Sequence, residues 1–448
     1  MSAETGKANW NFPRVFWTAN IVELFERSAY YAVFISITLY LTKVVGFNDI
    51  WAGWISGGFS AGMYFLPAFT GAYADKIGFR KAIILAFSLL SVGYFTLGFL
   101  PYRQTVIPAL VLLMFGGSFI KSIITGTVAK STSEESRARG YSIFYGMVNV
   151  GSFLGKTFAF PMRLWWGLES INFYSATLTC IALIVVFFFY KATHTEGEKK
   201  TIREVWDSFI RVLSNFRLLS LILIIAGFWM IQGQMYATMP KYVLRLVGET
   251  ASPEWIANVN PFVVVTCVMI ITHLLRKRKA ITSMTIGMFI MPFSALCMAS
   301  DGILRSFTGD TVAVGGLLTF HPVTVMMIIG IVFQGLAECF ISPRYFEFFS
   351  YQAPKGQEGL YLGFSQIHTF FSYILGFGLS GYLLTAYCPD PATLTIGQKA
   401  TAYAHAHYIW YYFAAIGLAS GIALLIYQWI VNRIDRKKVS QEIMSNGS

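Results

Sequence analysis

Apolar runs close to 20 residues long recur from one end of the chain to the other, separated by short polar segments. Such a run forms a helix that crosses a hydrocarbon core about 30 Å thick. In lipid the backbone amides have no other partner than their own helix. The pattern predicts about twelve spanning helices. Six have cores at residues 14–44, 50–73, 80–100, 105–130, 139–161 and 171–191, and six at 217–246, 253–275, 280–300, 321–350, 358–386 and 404–432. Between the two sets lies Lys191–Arg217, where Ile202, Val205, Trp206, Phe209 and Ile210 recur at helical spacing among Lys, Arg and Glu. That segment reads as an amphipathic helix on the cytoplasmic membrane surface. The expected fold class is all-α: a polytopic membrane protein with a six-helix bundle over 1–191, a linker over 192–216 and a second six-helix bundle over 217–448.

Composition agrees with the pattern. The 448 residues are 55% hydrophobic and only 12% charged, about half the charge fraction of a soluble domain. The net charge of +12 suggests a nucleic acid until its distribution is inspected. The bases fall in every second loop: Lys76, Arg80 and Lys81; Lys130, Arg137 and Arg139; Lys199 to Arg217; Arg276 to Lys279; Arg433 to Lys438. This is the positive-inside pattern, which places both termini in the cytoplasm and removes the need for a polyanionic partner. A multi-pass protein of the plasma membrane, or of the inner membrane in a bacterium, is expected, with lipid as its surroundings. Five scattered cysteines with no CxxC pair predict neither a disulfide framework nor a metal site. Four lie in apolar runs, and Cys388 lies in an expected outer loop. Met1–Asn11 is polar and lacks the pattern of a cleaved leader.

Candidate chemistry begins in the first apolar run, which holds Glu23, Glu26 and Arg27. A charge at the bilayer centre costs about 2.5–3.5 kcal/mol on insertion scales, so such residues face a water-filled path or a partner. At about 100° per residue, Glu23, Glu26, Arg27, Tyr30 and Tyr31 share one side of the helix. A purely structural ion pair is the alternative. Two acids and one base argue against it, because a carboxylate is left over.

The loop Gly71-Ala-Tyr-Ala-Asp75-Lys-Ile-Gly78-Phe-Arg80-Lys81 resembles the G-x-x-x-D-x-x-G-[RF]-[RK]-[RK] loop of the major facilitator superfamily. In that fold two six-helix halves rock around a midplane site. The resemblance implies a breakable ionic latch at the cytoplasmic gate, involving Asp75 and Arg80. A narrower resemblance runs along nearly the whole chain. Glu23-Leu-Phe-Glu26-Arg27-Ser-Ala-Tyr30-Tyr31 resembles the E-x-x-E-R-F-x-Y-Y signature of proton-coupled oligopeptide transporters. Met63-Tyr64-Phe-Leu-Pro67 is similar to that family's second helix, and Phe119-Ile-Lys121 stands where it has F-K-P-N. Phe144-Tyr145-Gly-Met-Val-Asn149-Val-Gly151-Ser152 resembles F-Y-x-x-I-N-x-G-S. Phe228-Trp229-Met-Ile-Gln232-Gly-Gln234, Asn260-Pro261, Glu338-Cys-Phe-Ile-Ser342-Pro343, Ala353-Pro354 and Gly359 complete the set.

These positions suit a small zwitterion. A free peptide needs one cationic and one anionic pole in a low-dielectric cleft, with amides between them. Arg27 and Lys121 supply the first pole and Glu338 the second. Asn149 and Asn260 donate and accept toward a peptide bond or terminal amine. Tyr30, Tyr31, Tyr64 and Trp229 offer amphipathic walls. Lys121 snorkelling to an interface is the bland alternative; a Glu338–Lys121 salt bridge is expected in one state of the cycle. Burial and neighbouring cations pull a carboxylate's proton affinity in opposite directions, so gate movements can change it. Glu23 and Glu26, with Arg27 and Glu338, are therefore the proton-coupling candidates: protonation would release Arg27 to the substrate carboxylate.

The chain departs from the family in several places. Phe34 replaces an arginine seven residues after Arg27, and Ile231-Gln-Gly-Gln-Met-Tyr236 lacks the seventh-helix glutamate that pairs with it, Gly233 or its neighbours standing there. Losing both members of a buried pair is tolerable where losing one is not. Ser122-Ile123 replaces Pro-Asn, and no counterpart of the second-helix histidine of animal members is found. The six histidines are not expected to carry the coupling proton. Lys156, two helical turns beyond Asn149 and about 10 Å nearer the exterior, restores a cation near the level of Phe34 or snorkels to the outer headgroups.

The expectation is a monomeric importer of di- and tripeptides by proton symport through alternating access, using no cofactor other than the proton. The rival is a symporter or weakly coupled facilitator of another zwitterionic or anionic metabolite. A transport-dead sensor would need an appended domain or a long tail, and the chain reaches Ser448 soon after its last apolar run. No nucleophile–base pair, phosphate loop or metal-ligand spacing suggests an enzyme.

Overall fold

The computed structural model describes residues 12–133, 136–191, 201–315, 318–352, 363–399 and 401–446. Met1–Asn11, Lys199, Ala353-Pro354 and Gly359, all used in the sequence reading, lie outside the described residues. The first-half helices are α1 (Arg14–Lys43), α2 (Asp49–Phe65), α3 (Pro67–Ile77), α4 (Phe79–Phe99), α5 (Arg103–Lys130), α6 (Arg137–Trp166) and α7 (Leu168–Phe189). The linker holds α8 (Ile202–Ser214). Then follow α9 (Phe216–Gln232), α10 (Gln234–Ala237), α11 (Met239–Val247), α12 (Pro253–Ile256), α13 (Val259–Leu274), α14 (Ala280–Met298) and α15 (Asp301–Thr308). An antiparallel hairpin pairs Val312–Val314 with Leu318–Phe320. The chain continues with α16 (Pro322–Gln352), α17 (Ile367–Tyr387), α18 (Ile396–Lys399) and α19 (Tyr408–Asn446).

Three expected spans are interrupted. Pro67 has no N–H to donate and opens α3, so the span predicted over 50–73 breaks after Phe65. The seventh span divides at Gly233 and again at Thr238, where Pro240 occupies the first turn of α11. The eighth divides between Ile256 and Val259. By contrast α6 runs through Pro161 as far as Trp166 and stops at Gly167, whose φ of +85° suits a residue without a Cβ.

Among the described residues nine helices are long and apolar enough to cross a membrane. Those outside this set are informative. α1 carries Glu23, Glu26 and Arg27, α6 carries Lys156 and four bases or amides besides, and α2 has only 17 residues before its break. Candidate chemistry lowers the apolar signature of α1 and α6, whereas Lys121 and Glu338 sit in helices that keep it. In α8, Val205, Phe209 and Val212 are buried while Ile202, Trp206 and Ile210 form an exposed apolar stripe at i, i+4 and i+8, as a surface-lying amphipathic helix requires.

Contacts divide the chain into two compact units, Met1–Phe34 with Leu66–Val205 and Ile35–Phe65 with Trp206–Ser448. In the first, α4 packs on α5 and α7, α3 on α5 and α6 on α7. In the second, α14 packs on α16 and α19, α13 on α16, and α17 on both α9 and α2. The end of α1 and all of α2 thus pack with helices from the second sequence half, and the division by contact crosses the division by sequence.

Candidate functional site

In the first unit α1 is held by backbone approach rather than by side-chain interdigitation. A Cβ at Gly155 of α6 would stand 2.2 Å from the Ser28 carbonyl oxygen, and one at Gly151 would stand 2.7 Å from that of Leu24. On the other side Ser175 of α7 donates to the Ala29 carbonyl at 2.9 Å, and the Ser28 and Tyr174 hydroxyls meet at 2.7 Å. This seam fixes the rotation of α1 and aims its polar side inward.

Glu23, Glu26 and Arg27 are all buried. Arg27 Nε donates to Glu26 Oε2 and lies 3.3 Å from Glu23 Oε1. Lys121 of α5 interacts electrostatically with all three. Tyr94 of α4, which sequence reasoning missed, lies in the field of Glu26 and Arg27. Glu23 Oε2, Glu26 Oε1 and Arg27 Nη2 find no hydrogen-bond partner among the described residues. A buried, ionised network left partly unsatisfied is costly to maintain. Its unused atoms are the kind that a bound anion or a proton satisfies.

The aromatic residues extend this cluster. The Arg27 guanidinium lies 5.1 Å from the Tyr30 ring centroid, and Tyr30 stacks on Phe34 at 5.1 Å. Lys156 Nζ lies 5.6 Å from the Tyr31 centroid, and its side chain is 1% exposed. Snorkelling is therefore not what Lys156 does. Asn149 Nδ2 donates to the Tyr145 carbonyl of its own helix at 2.8 Å. Ser122, where the family has Pro-Asn, donates to the Pro67 carbonyl at 2.6 Å and ties α5 to the break between α2 and α3.

The expected Asp75–Arg80 latch is not formed. Arg80 donates to the Phe187 carbonyl at 3.0 Å, and the charge facing Asp75 is Lys130, which also covers the Phe79 ring. Position explains the difference: Gly78 ends α3 with a φ of +89°, so Arg80 lies in the first turn of a new helix and reaches α7.

In the second unit Glu338 of α16 accepts from Gln232 Nε2 at 3.0 Å and from Asn260 Nδ2 at 3.3 Å. Gln232 stands within the Phe228–Gln234 motif, and its place one helical turn after Trp229 is the sequence signal for it. Trp229 faces His368 of α17 at 5.4 Å between ring centroids. His368 Nδ1 lies 2.6 Å from the Ser365 carbonyl, which fixes that ring. Tyr64 meets Tyr373 edge-on at 5.6 Å. At Gly233, where a family acid is expected, a Cβ would stand 3.2 Å from both the Trp229 carbonyl and the Tyr373 ring. A side chain there would need the Tyr373 ring to give by a few tenths of an ångström. Among the described residues no three His, Cys, Asp or Glu side chains converge as a metal would require.

Comparison with known proteins places this geometry. The sequence profile of the Major Facilitator Superfamily matches residues 19–308. Multidrug resistance protein MdtH of Photorhabdus laumondii is 21% identical over 356 residues, covering 79% of this chain and 82% of that protein. Dipeptide and tripeptide permease B of Shigella dysenteriae is 24% identical over 441 residues, covering 83% of this chain and 87% of the permease. A POT family transporter crystallised in complex with 5-aminolevulinic acid superposes with a TM-score of 0.72 at 16% identity, over 96% of this chain and 98% of that one. The fold is that of POT family transporters, and with the profile matched over more than half its length, the chain belongs to the Major Facilitator Superfamily, a family of transporters rather than enzymes.

Proposed function

We propose that this chain is a secondary active importer of di- and tripeptides, coupled to protons and working by alternating access. The observation that carries the reading is Arg27, buried beside two carboxylates that it meets through Nε, with Nη2 making no hydrogen bond. A guanidinium recognises a carboxylate through its paired N–H groups. Protonation of Glu23 or Glu26 weakens their hold on Arg27 and, with Lys121, makes it available to the substrate carboxylate. Glu338, oriented by Gln232 and Asn260, supplies the pole for the substrate amine. Tyr30, Tyr31, Tyr64 and Trp229 accept side chains of varied shape, and Lys121 and Lys156 join Asp75 and Arg80 as gating residues. The chain sits in the membrane with both termini in the cytoplasm, acts as a monomer and uses no cofactor beyond the proton.

The relatives carry names of two substrate kinds. The α1 acids and arginine favour the peptide permeases, because every free peptide carries a carboxylate for a buried guanidinium and a drug need not. A specific observation favours a second reading, transport of another small zwitterion: Ile231–Tyr236 carries no acid, so the site differs from the peptide pattern on that side.

Reconstituted uptake of labelled dialanine under an imposed pH gradient tests the proposal. Wild type should accumulate substrate along the gradient, and Glu26→Gln should retain exchange but lose accumulation. Gradient-independent exchange in both would remove the coupling. Displacement of label by non-peptide zwitterions but not by dipeptides would establish the second reading.

A further inference from the structure

A second buried ionic cluster lies well away from the α1 residues along the chain, entirely within the second unit. Asp49, the first residue of α2, accepts from Lys241 Nζ through Oδ1 at 2.7 Å, and from Arg245 through both oxygens at 2.9 and 3.0 Å. Arg245 also donates to the Cys388 carbonyl at 2.5 Å and lies 3.6 Å from Asp390 Oδ2. Lys241 is 1% exposed, and the Arg245 and Asp49 side chains are nearly as buried. Two acids and two bases balance. Beside them the backbones of α2 and α17 touch: a Cβ at Gly381 would stand 2.5 Å from the Asp49 carbonyl, and one at Gly53 would stand 2.4 Å from that of Phe377. At the rim Lys43 of α1 pairs with Glu249, an exposed contact of the kind that contributes little.

A buried ion network is a poor way to gain stability, since well-packed apolar residues do as well or better. It differs from an apolar seam in its open state: parted ions are hydrated, whereas a parted apolar seam exposes grease to water. Ions therefore suit a contact that must break and re-form. This contact joins α2, from the first sequence half, to the continuation of the seventh span in α11 and the loop after α17. The family pair missing at Phe34 and Gly233 would join the same two halves, with the cation on the first and the acid on the second.

We propose that Asp49, Lys241 and Arg245 are the outer-gate clasp of this transporter, replacing the missing pair with its polarity reversed. This rests on the alternating-access reading above, and the first test is independent of what is transported. Cys388 lies within the clasp and its side chain is fully buried, so its thiol reports on opening. In a background with Cys180, Cys267, Cys297 and Cys339 replaced by Ala, the double variant Asp49→Asn with Lys241→Gln removes one charge of each sign and strands none. Modification of Cys388 by a membrane-impermeant maleimide, applied from outside, should accelerate about tenfold, equivalent to about 1.4 kcal/mol of lost closed-state stability. Lys241→Gln alone leaves one buried acid uncompensated and should label at least as fast as the double variant. A monodisperse double variant that labels at the parental rate overturns the proposal. Should that variant not fold, Asp49→Cys with Lys241→Cys, bridged by a short bifunctional thiol reagent, provides the second test. Bridging should abolish exchange of bound substrate, and undiminished exchange after complete bridging equally overturns it. Dialanine failing as a substrate while Cys388 labelling accelerates counts against the peptide reading and in favour of the clasp.

Discussion

Arg27 meets its carboxylates through Nε and leaves Nη2 without a hydrogen bond, and that asymmetry sets the first expectation. Arg27→Lys keeps the charge but loses the fork, so peptide kcat/KM should fall about a hundredfold or more, the loss of one or two charge-assisted hydrogen bonds. Gln232→Leu withdraws one donor from Glu338. At about 1.5–3 kcal/mol for a hydrogen bond to a charged group, KM should rise at least tenfold in uptake assays. Lys156→Ala should weaken affinity while Lys156→Arg largely preserves it; unchanged uptake and affinity in the alanine variant would end the idea that Lys156 compensates for Phe34. Glu23, Glu26, Arg27 and Lys121 were legible in the sequence because an ionisable group stands out within an apolar run. Gln232 was less visible, being uncharged. Asp49, Lys241 and Arg245 were missed because charges near the ends of apolar runs look like ordinary boundary residues.

At the scale of elements, the α1–α6 seam depends on glycines that allow backbone contact. Gly155→Val must push the Ser28 carbonyl away from a position 2.2 Å from the new Cβ. Overpacking of this kind costs about 1–3 kcal/mol or more, and the detergent-solubilised protein should show a lowered unfolding temperature. An equal loss is not expected at Gly146, where a Cβ would meet nothing within 4 Å. Most helices were legible from apolar run length. Their interruptions were not: Pro67 and Pro240 break their spans while Pro161 does not, since neighbouring elements decide whether the freed carbonyls find partners. The hairpin at Val312–Val314 and Leu318–Phe320 went unseen because three-residue strands give too few alternations to register.

For the whole molecule, the proposed orientation rests on loop charge and is open to a direct check. Lys76→Cys should be modified by an impermeant thiol reagent only after cells are permeabilised, and Glu249→Cys in intact cells, in a background without reactive cysteines. The reverse pattern would invert the proposed topology and move the Asp49 clasp to the cytoplasmic side. The sequence by itself determined that the chain is helical, spans a membrane many times and buries acids beside an arginine in its first helix. Each of these follows from local chemistry, because lipid forces every apolar run into a helix and penalises every charge within it. Only tertiary structure decided which charges meet: that Lys121 lies in the field of the α1 acids, that Asp75 faces Lys130, that Gln232 and Asn260 hold Glu338, and that Asp49 gathers Lys241 and Arg245. Those partners lie on different helices, and the rotation and close approach that bring them together are set by backbone seams at glycines, a property of pairs of helices that no single run encodes.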